Sequence, residues 1–456
     1  MVAPAGCGKT HLIAETLGVH PRGKPILVLT HTNAGKAALD VRLKRMAISE
    51  TAYEVKTLDG WALRLISAFP QRSGHDPAIL AISQPNRDYP AIRAAALRLL
   101  QSGAISEALR ATYAGILVDE YQDCLIEQHG LVCAASDVLP TRVLGDPLQA
   151  IFGFGNAQLV RWNSDVAARF PAIGELGTPH RWIRSGHPAL GEWLLQARAA
   201  LLSGTDIDLR HVPKEVTWVE LDDATAEARR SAAAQTAAAE GGDVLIIGES
   251  MNRQGRQDVA SRTPGAHVVE PVDLPDFMSF ARSFNLADAN PLASLARFAG
   301  SVMTNLDVPS LLRRVETLRS GKQRREANPA ELAALRFLAE PSYNGAALVL
   351  HELENQAGVR VYRHVVLRCC KDALRAAAGG VAFPEAAHRE RERYRQSGRR
   401  LPRRAVGSTL LLKGLEAEVA VVLHPERMDA ANLYVALTRA AARLVVCSDE
   451  PLLRGR

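Results

Sequence analysis

The sequence predicts an α/β fold in which parallel, helix-covered sheets carry the core. Three features lead there: short apolar runs bounded by turn residues, helix-compatible stretches between consecutive runs, and a second set of such runs later in the chain. The 456 residues are 47% hydrophobic and 23% charged, the balance of a globular chain with two or three domains' worth of core, which excludes overall disorder. Aromatic residues make up 5% while Ala and Arg are plentiful, so helices should carry most of the structure and guanidinium much of the charge. A formal net charge of +6 and a pI near 9.1 permit nucleotide or nucleic-acid binding and equally describe a bland basic cytosolic protein.

Taken in order, the first strand signals are Pro25–Thr30, Ala114–Val118 and Thr141–Leu144, separated by helix-like stretches such as Asn33–Arg45 and Ile92–Leu100. A second set, Val216–Glu220, Asp243–Gly248, Val419–Leu423 and Arg443–Cys447, implies a second α/β domain. Between its halves, roughly 271–387, the chain reads as helical without strand alternation, hence as an insertion. The run Arg389–Arg404 is dense in charge and contains Gly and Pro, which suggests an exposed helix end and loop, with backbone-phosphate binding as the alternative. Six cysteines lie scattered without C-x-x-C pairs or His at ligand spacing, which argues against zinc, iron–sulfur clusters and a disulfide scaffold. The opening MVAPAGCGKT has no apolar signal-peptide core, and no later stretch is long and apolar enough for a bilayer span, so a cytoplasmic protein is expected.

The chemistry starts at Ala3-Pro4-Ala5-Gly6-Cys7-Gly8-Lys9-Thr10, a phosphate-loop pattern with Ala in place of the first Gly. Small residues let the backbone N–H groups of Ala5, Gly6, Cys7 and Gly8 approach phosphate oxygens. Lys9 neutralises the β- and γ-phosphates, and the Thr10 hydroxyl is placed to ligate Mg²⁺ at a helix N-terminus. The carboxylates such a site needs follow the apolar run Ile116-Leu117-Val118: Asp119 as a metal ligand, often through water, and Glu120 as the base beside the γ-phosphate.

Further residues resemble the superfamily 1 DNA helicases of the UvrD/Rep type. The D-E-x-Q-D form of Asp119–Asp123 is followed by Leu144-Gly145-Asp146-Pro147-Leu148-Gln149-Ala150-Ile151-Phe152-Gly153-Phe154. Leu29–Ala38 is similar to that family's early single-strand-binding motif and Lys56–Ala62 to the next, while Leu176–Trp182 is similar to its arginine-bearing fourth motif. Lys413-Gly414-Leu415-Glu416 and Tyr434-Val435-Ala436-Leu437-Thr438-Arg439-Ala440 resemble the closing K-G-L-E and Y-V-A-x-T-R-A segments. Ordered matches from residue 3 to 440 cover nearly the whole chain.

The resemblance implies two RecA-like parallel-sheet domains with a helical insertion in the second. Residues 1–175 form the first, with a short helical insertion around 68–112; 176–270 and 401–456 form the two parts of the second, and 271–400 the accessory insertion. ATP with Mg²⁺ is the implied cofactor, set between the domains, with Arg181 and Arg439 arriving from the side opposite the loop. Two guanidiniums at the γ-phosphate offset charge that spreads in the transition state, worth about 10³–10⁵ in rate for an arginine finger. Gln149 is the implied γ-phosphate sensor, His180 the stacking group at adenine and Glu416 a ribose contact. The implied partners are single-stranded DNA and duplex junctions, with a protein partner allowed for and no membrane. The strand is contacted by Thr32, Asn33, Thr57, Trp61, Phe152 and Phe154; base–aromatic stacking contributes roughly 1–3 kcal/mol per base whatever the sequence.

Plainer readings stand beside these. Phe152 and Phe154, two apart, could face a core from one strand; Trp61, at helical spacing to Leu65, divides evenly between core and DNA rim. His180 could be a surface histidine, and Arg181 and Arg439 ordinary ion-pair residues. The chain also departs from the family pattern. Leu410 replaces the usual His before K-G-L-E, Gly155 replaces an Arg after the third motif, and the first accessory insertion is short. Only Met1 and Val2 precede the loop, so a missing N-terminal segment, or a sheet lacking its central strand, is expected.

Overall fold

The computed structural model describes all residues except 22, 154–157, 323–324, 397–401 and 456, and gives the backbone alone at 34 and 396. Contacts divide the chain into two compact units, one of residues 1–215, 428–442 and 452–456, the other of 216–427 and 443–451.

The sheet of the first unit contains β1 (Ile26–Thr30), β2 (Tyr53–Thr57), β3 (Gly115–Val118) and β4 (Thr141–Val143), in the order β2-β1-β3-β4 and parallel throughout. Alternation explains its two cores: Leu27, Leu29, Ile116 and Val118 face a cluster with Leu58, Ile92 and Leu131, whereas Val28 and Leu117 face Ile13, Leu17, Leu39 and Leu43. Both faces are covered, so β1 and β3 read as unbroken apolar runs. β2 is different. As an edge strand it carries Glu54 and Lys56, which pair with each other at 3.2 Å, and this polar alternation hid it from the apolar-run search.

Next to β4 the first residues pair with the chain through isolated bridges. Val2 forms parallel bridges to Gly145 and Glu175; the Ala3 amide donates to the Gly145 carbonyl (2.9 Å) and the Leu176 amide to the Val2 carbonyl (3.0 Å). These bonds satisfy the Gly145 carbonyl and the Leu176 amide.

The second unit holds a six-stranded sheet of β5 (Val216–Glu220), β6 (Val244–Ile247), β7 (His267–Val268), β8 (Arg404–Gly407), β9 (Ala417–Val422) and β10 (Ala440–Ser448), in the order β5-β10-β9-β6-β8-β7. β6 pairs in parallel with β8 and β9, and β10 with β5. Residues 389–396 of the charged run end the helix Phe383–Gln396, as expected, and its last residue, Arg404, opens β8; residues 397–401 fall outside the described set. Between β7 and β8 come the helices Pro275–Ser283, Pro291–Gly300, Val308–Arg319, Pro329–Ala339, Tyr343–Glu354, His364–Ala378 and Phe383–Gln396, around a core that includes Phe277, Leu295, Phe337, Leu350 and Cys370. Buried Arg363, just ahead of one of these helices, donates to both oxygens of buried Glu270 (2.6 and 3.0 Å) and to Asp276 (2.7 Å). That fork ties the helical segment to the chain leaving β7. No helix among the described residues is long and apolar enough to cross a membrane.

Candidate nucleotide site

The phosphate loop bends because Gly6 (φ 70°) and Gly8 (φ 90°) adopt the left-handed region, after which a helix starts at Lys9. A side chain on Gly6 would meet the Trp182 ring at 2.5 Å, and one on Gly8 would lie 3.1 Å from His180 Cδ2. The loop is thus seated against the helix His180–Arg184, and the Arg181 amide donates to the Gly6 carbonyl at 3.0 Å. Tyr434 supports it from another element, its hydroxyl accepting the Ala5 amide at 3.0 Å. Cys7 is buried, and burial pushes its thiol up to about 11, so it is an inert spacer.

Lys9 Nζ lies 3.2 Å from Asp119 Oδ1 and 2.5 Å from Glu120 Oε1. Burial alone would lower the ammonium's pKa, but the two carboxylates override it and hold Lys9 charged well above the ordinary lysine range. Asp119 is shifted upward by burial and by its neighbour Glu120, with Lys9 opposing. Glu120 sits at φ 55°, an uncommon conformation for a side-chain-bearing residue, and its amide donates to Asp119 Oδ1 at 2.9 Å. Thr10 Oγ1 accepts from Arg42 Nη1 at 3.0 Å. Backbone amides of a tight glycine loop, the Lys9 ammonium, a helix-start hydroxyl and a carboxylate are a donor set that fits a magnesium triphosphate. Mg²⁺ is commonly held by one or two protein oxygens together with phosphate and water, a role open to Thr10 and Asp119.

The remaining expected residues fall as follows. Gln149 Nε2 donates to Asp146 Oδ2 at 2.9 Å, and Asp146 is fully buried beside Arg198, whose Nη1 reaches Glu175 Oε1 at 2.6 Å. Arg181 Nη1 donates to the Thr438 carbonyl (2.7 Å) and Arg439 Nε to the Val435 carbonyl (2.8 Å). Both arginines belong, with Lys9 and Glu120, to the first compact unit. His180 is exposed beside Gly8. Glu416 is exposed just before β9, in the second unit.

The DNA-facing residues divide. Thr32, two residues after β1, and Thr57, at the end of β2, cap the helices Asn33–Arg45 and Leu58–Ala68 by accepting the Gly35 and Gly60 amides, each at 3.0 Å. Asn33 is exposed in the first turn of its helix. Half-buried Phe152 lies 5.7 Å, centroid to centroid, from His31 at the end of β1. Trp61 corrects its expectation: it is 1% exposed in the core of the first unit, so its ring is closed to a stacking base. Phe154 and Gly155 lie outside the described residues.

Four supporting residues escaped the sequence reading. Gln122 and Tyr434 were visible inside quoted motifs, and Trp182 at the end of another, but their partners were not. Arg198, which shares an Ala- and Leu-rich helix with one other charged residue, Glu192, gave no signal at all.

A search of curated proteins finds no match. A family model described as the UvrD/REP helicase N-terminal domain matches residues 80–164, a stretch that contains Asp119, Glu120 and Gln149. That stretch of the first unit is similar to the N-terminal domain of UvrD/REP helicases.

Proposed function

We propose that this protein is an ATP-dependent DNA helicase or translocase that moves on single-stranded DNA. The observation that supports it most is the convergence of Lys9 on Asp119 and Glu120 at the C-terminal end of β3, the two carboxylates lying in the stretch similar to the helicase model. In this reading the loop amides, Lys9 and Thr10 hold ATP and, with Asp119, Mg²⁺; the metal supplies charge neutralisation at the phosphates. Glu120 accepts the proton of the attacking water. Gln149 senses the γ-phosphate, and Arg181 and Arg439 leave their carbonyl partners to offset its charge. His180 packs at the base and Glu416 at the ribose. Thr32, Asn33, Thr57, Phe152 and Phe154 grip the strand.

Movement from 3′ to 5′, two RecA-like domains with a helical accessory insertion, action at duplex junctions, and work in repair, recombination or defence in the cytoplasm follow from the family resemblance. Leu410, standing where the family has His, favours a second reading: a DNA-stimulated ATPase switch that acts in a protein complex without unwinding. The test is paired, measuring ATP hydrolysis with and without single-stranded DNA and then displacement from a 3′-tailed duplex. Stimulation with displacement is expected. Stimulation alone selects the switch, and hydrolysis indifferent to DNA overturns both.

A further inference from the structure

Gln122 is 1% exposed, and both ends of its side-chain amide are committed. Its Nε2 donates to Glu120 Oε2 at 2.6 Å, and its Oε1 accepts the Asp146 backbone amide at 3.0 Å. Glu120 is therefore held from two sides, by Lys9 on Oε1 and by Gln122 on Oε2. A second feature is built around the same amide. A side chain on Gly145 would stand 2.5 Å from Gln122 Oε1, so the glycine keeps open the space that the amide fills. Asp146, which receives the far end of Gln122, also receives Gln149 Nε2 on Oδ2 and Arg198 on Oδ1 (3.2 Å). One chain of hydrogen bonds, buried at Gln122 and Asp146, thus runs from the Glu120 carboxylate to the turn that carries Gln149.

We propose that Gln122 is a positioning residue that aims the Glu120 carboxylate and ties its orientation to the Asp146–Gln149 turn. The inference rests on the reading of Glu120 as the base for ATP hydrolysis. A primary amide suits the task because it donates at one end and accepts at the other, whereas a carboxylate at 122 would oppose Glu120 with like charge. Any shift of the turn that accompanies a move of Gln149 is passed through the Asp146 amide to the base.

The test is steady-state ATPase kinetics on the full chain, with rates normalised to sites counted by titration with a fluorescent ATP analogue. Gln122→Met keeps the length and removes both hydrogen bonds. It is expected to lower kcat per site by on the order of 100-fold, the cost of a misplaced reacting group, with KM for ATP unchanged. A purely structural role predicts fewer sites, each turning over at the parent rate, and that result overturns the proposal. A KM that rises in step with the fall in kcat overturns it too. If Gln122→Met does not fold, Gln122→Glu keeps the volume and the acceptor for Asp146 and is read in the same way. The exchange Glu120→Gln/Gln122→Glu is then expected to recover the thermal midpoint lost by Gln122→Glu without recovering turnover. Parent-rate hydrolysis by Glu120→Gln overturns the assignment of Glu120 and this one with it. A dead Glu120→Gln beside a parent-rate Gln122→Met overturns this one alone.

Discussion

At the scale of single residues, the site is an ammonium and two carboxylates sharing one buried corner. Lys9→Ala removes the ammonium that lies 3.2 Å from Asp119 and 2.5 Å from Glu120, leaving like charges side by side. It is expected to abolish ATP hydrolysis, read by phosphate release. Glu120→Gln is expected to stop turnover while a fluorescent ATP analogue still binds; hydrolysis at the parent rate shows that Glu120 is not the base. Gly145→Ala meets Gln122 at 2.5 Å and the Trp162 ring at 2.8 Å. Overpacking of this kind costs roughly 1–3 kcal/mol, to be seen as a lower denaturant midpoint together with slower turnover.

At the scale of elements, the chain repeats one device. Thr32-Asn33-Ala34-Gly35, two residues after β1, and Thr57-Leu58-Asp59-Gly60, at the end of β2, each start a helix, the threonine capping the amide of a glycine three residues on. A side chain on Gly60 would crowd Thr57 Oγ1 at 2.7 Å, so cap and glycine fit one another. Thr32→Ala and Thr57→Ala should each cost about 1 kcal/mol of stability; a loss of DNA affinity beyond the loss of folded protein measures any direct contact. Trp61, in the helix started by Thr57, gives the contrasting outcome. Trp61→Ala removes a core side chain and should cost about 3–5 kcal/mol, whereas DNA affinity per folded molecule should hold.

At the scale of the whole molecule, the second unit carries a pH-sensitive contact where its helical segment meets its sheet. The rings of His267 on β7 and His364 at the start of the helix His364–Ala378 are 4.3 Å apart. Burial, then the neighbouring His364 and Arg360, push His267 down to about 4 from an ordinary value of 6.5. The unfolded chain thus takes up this proton before the folded one does. Stability from this contact is complete above about 6.5 and falls as the pH drops toward 4. Thermal midpoints measured across that range should decline on acidification, and less steeply for His267→Phe. The Arg363–Glu270 fork in the same unit depends on both partners: Glu270→Gln should cost about 3–5 kcal/mol, since it leaves a buried guanidinium poorly matched.

The sequence by itself determined the elements whose physics is local. Strands buried on both faces, such as Ile26–Thr30 and Gly115–Val118, must be continuous apolar runs, and a phosphate loop must be small residues followed by Lys9 and Thr10. An acidic pair after an apolar strand is equally hard to miss. What depends on neighbours distant in the chain was decided only by the tertiary structure. Tyr53–Thr57 is a strand because an edge tolerates alternating charge, and Trp61 is core because the helices of residues 85–136 cover it. Gln122, Asp146 and Arg198 matter because folding removes water from all three together, so that each must find its hydrogen bonds in the others.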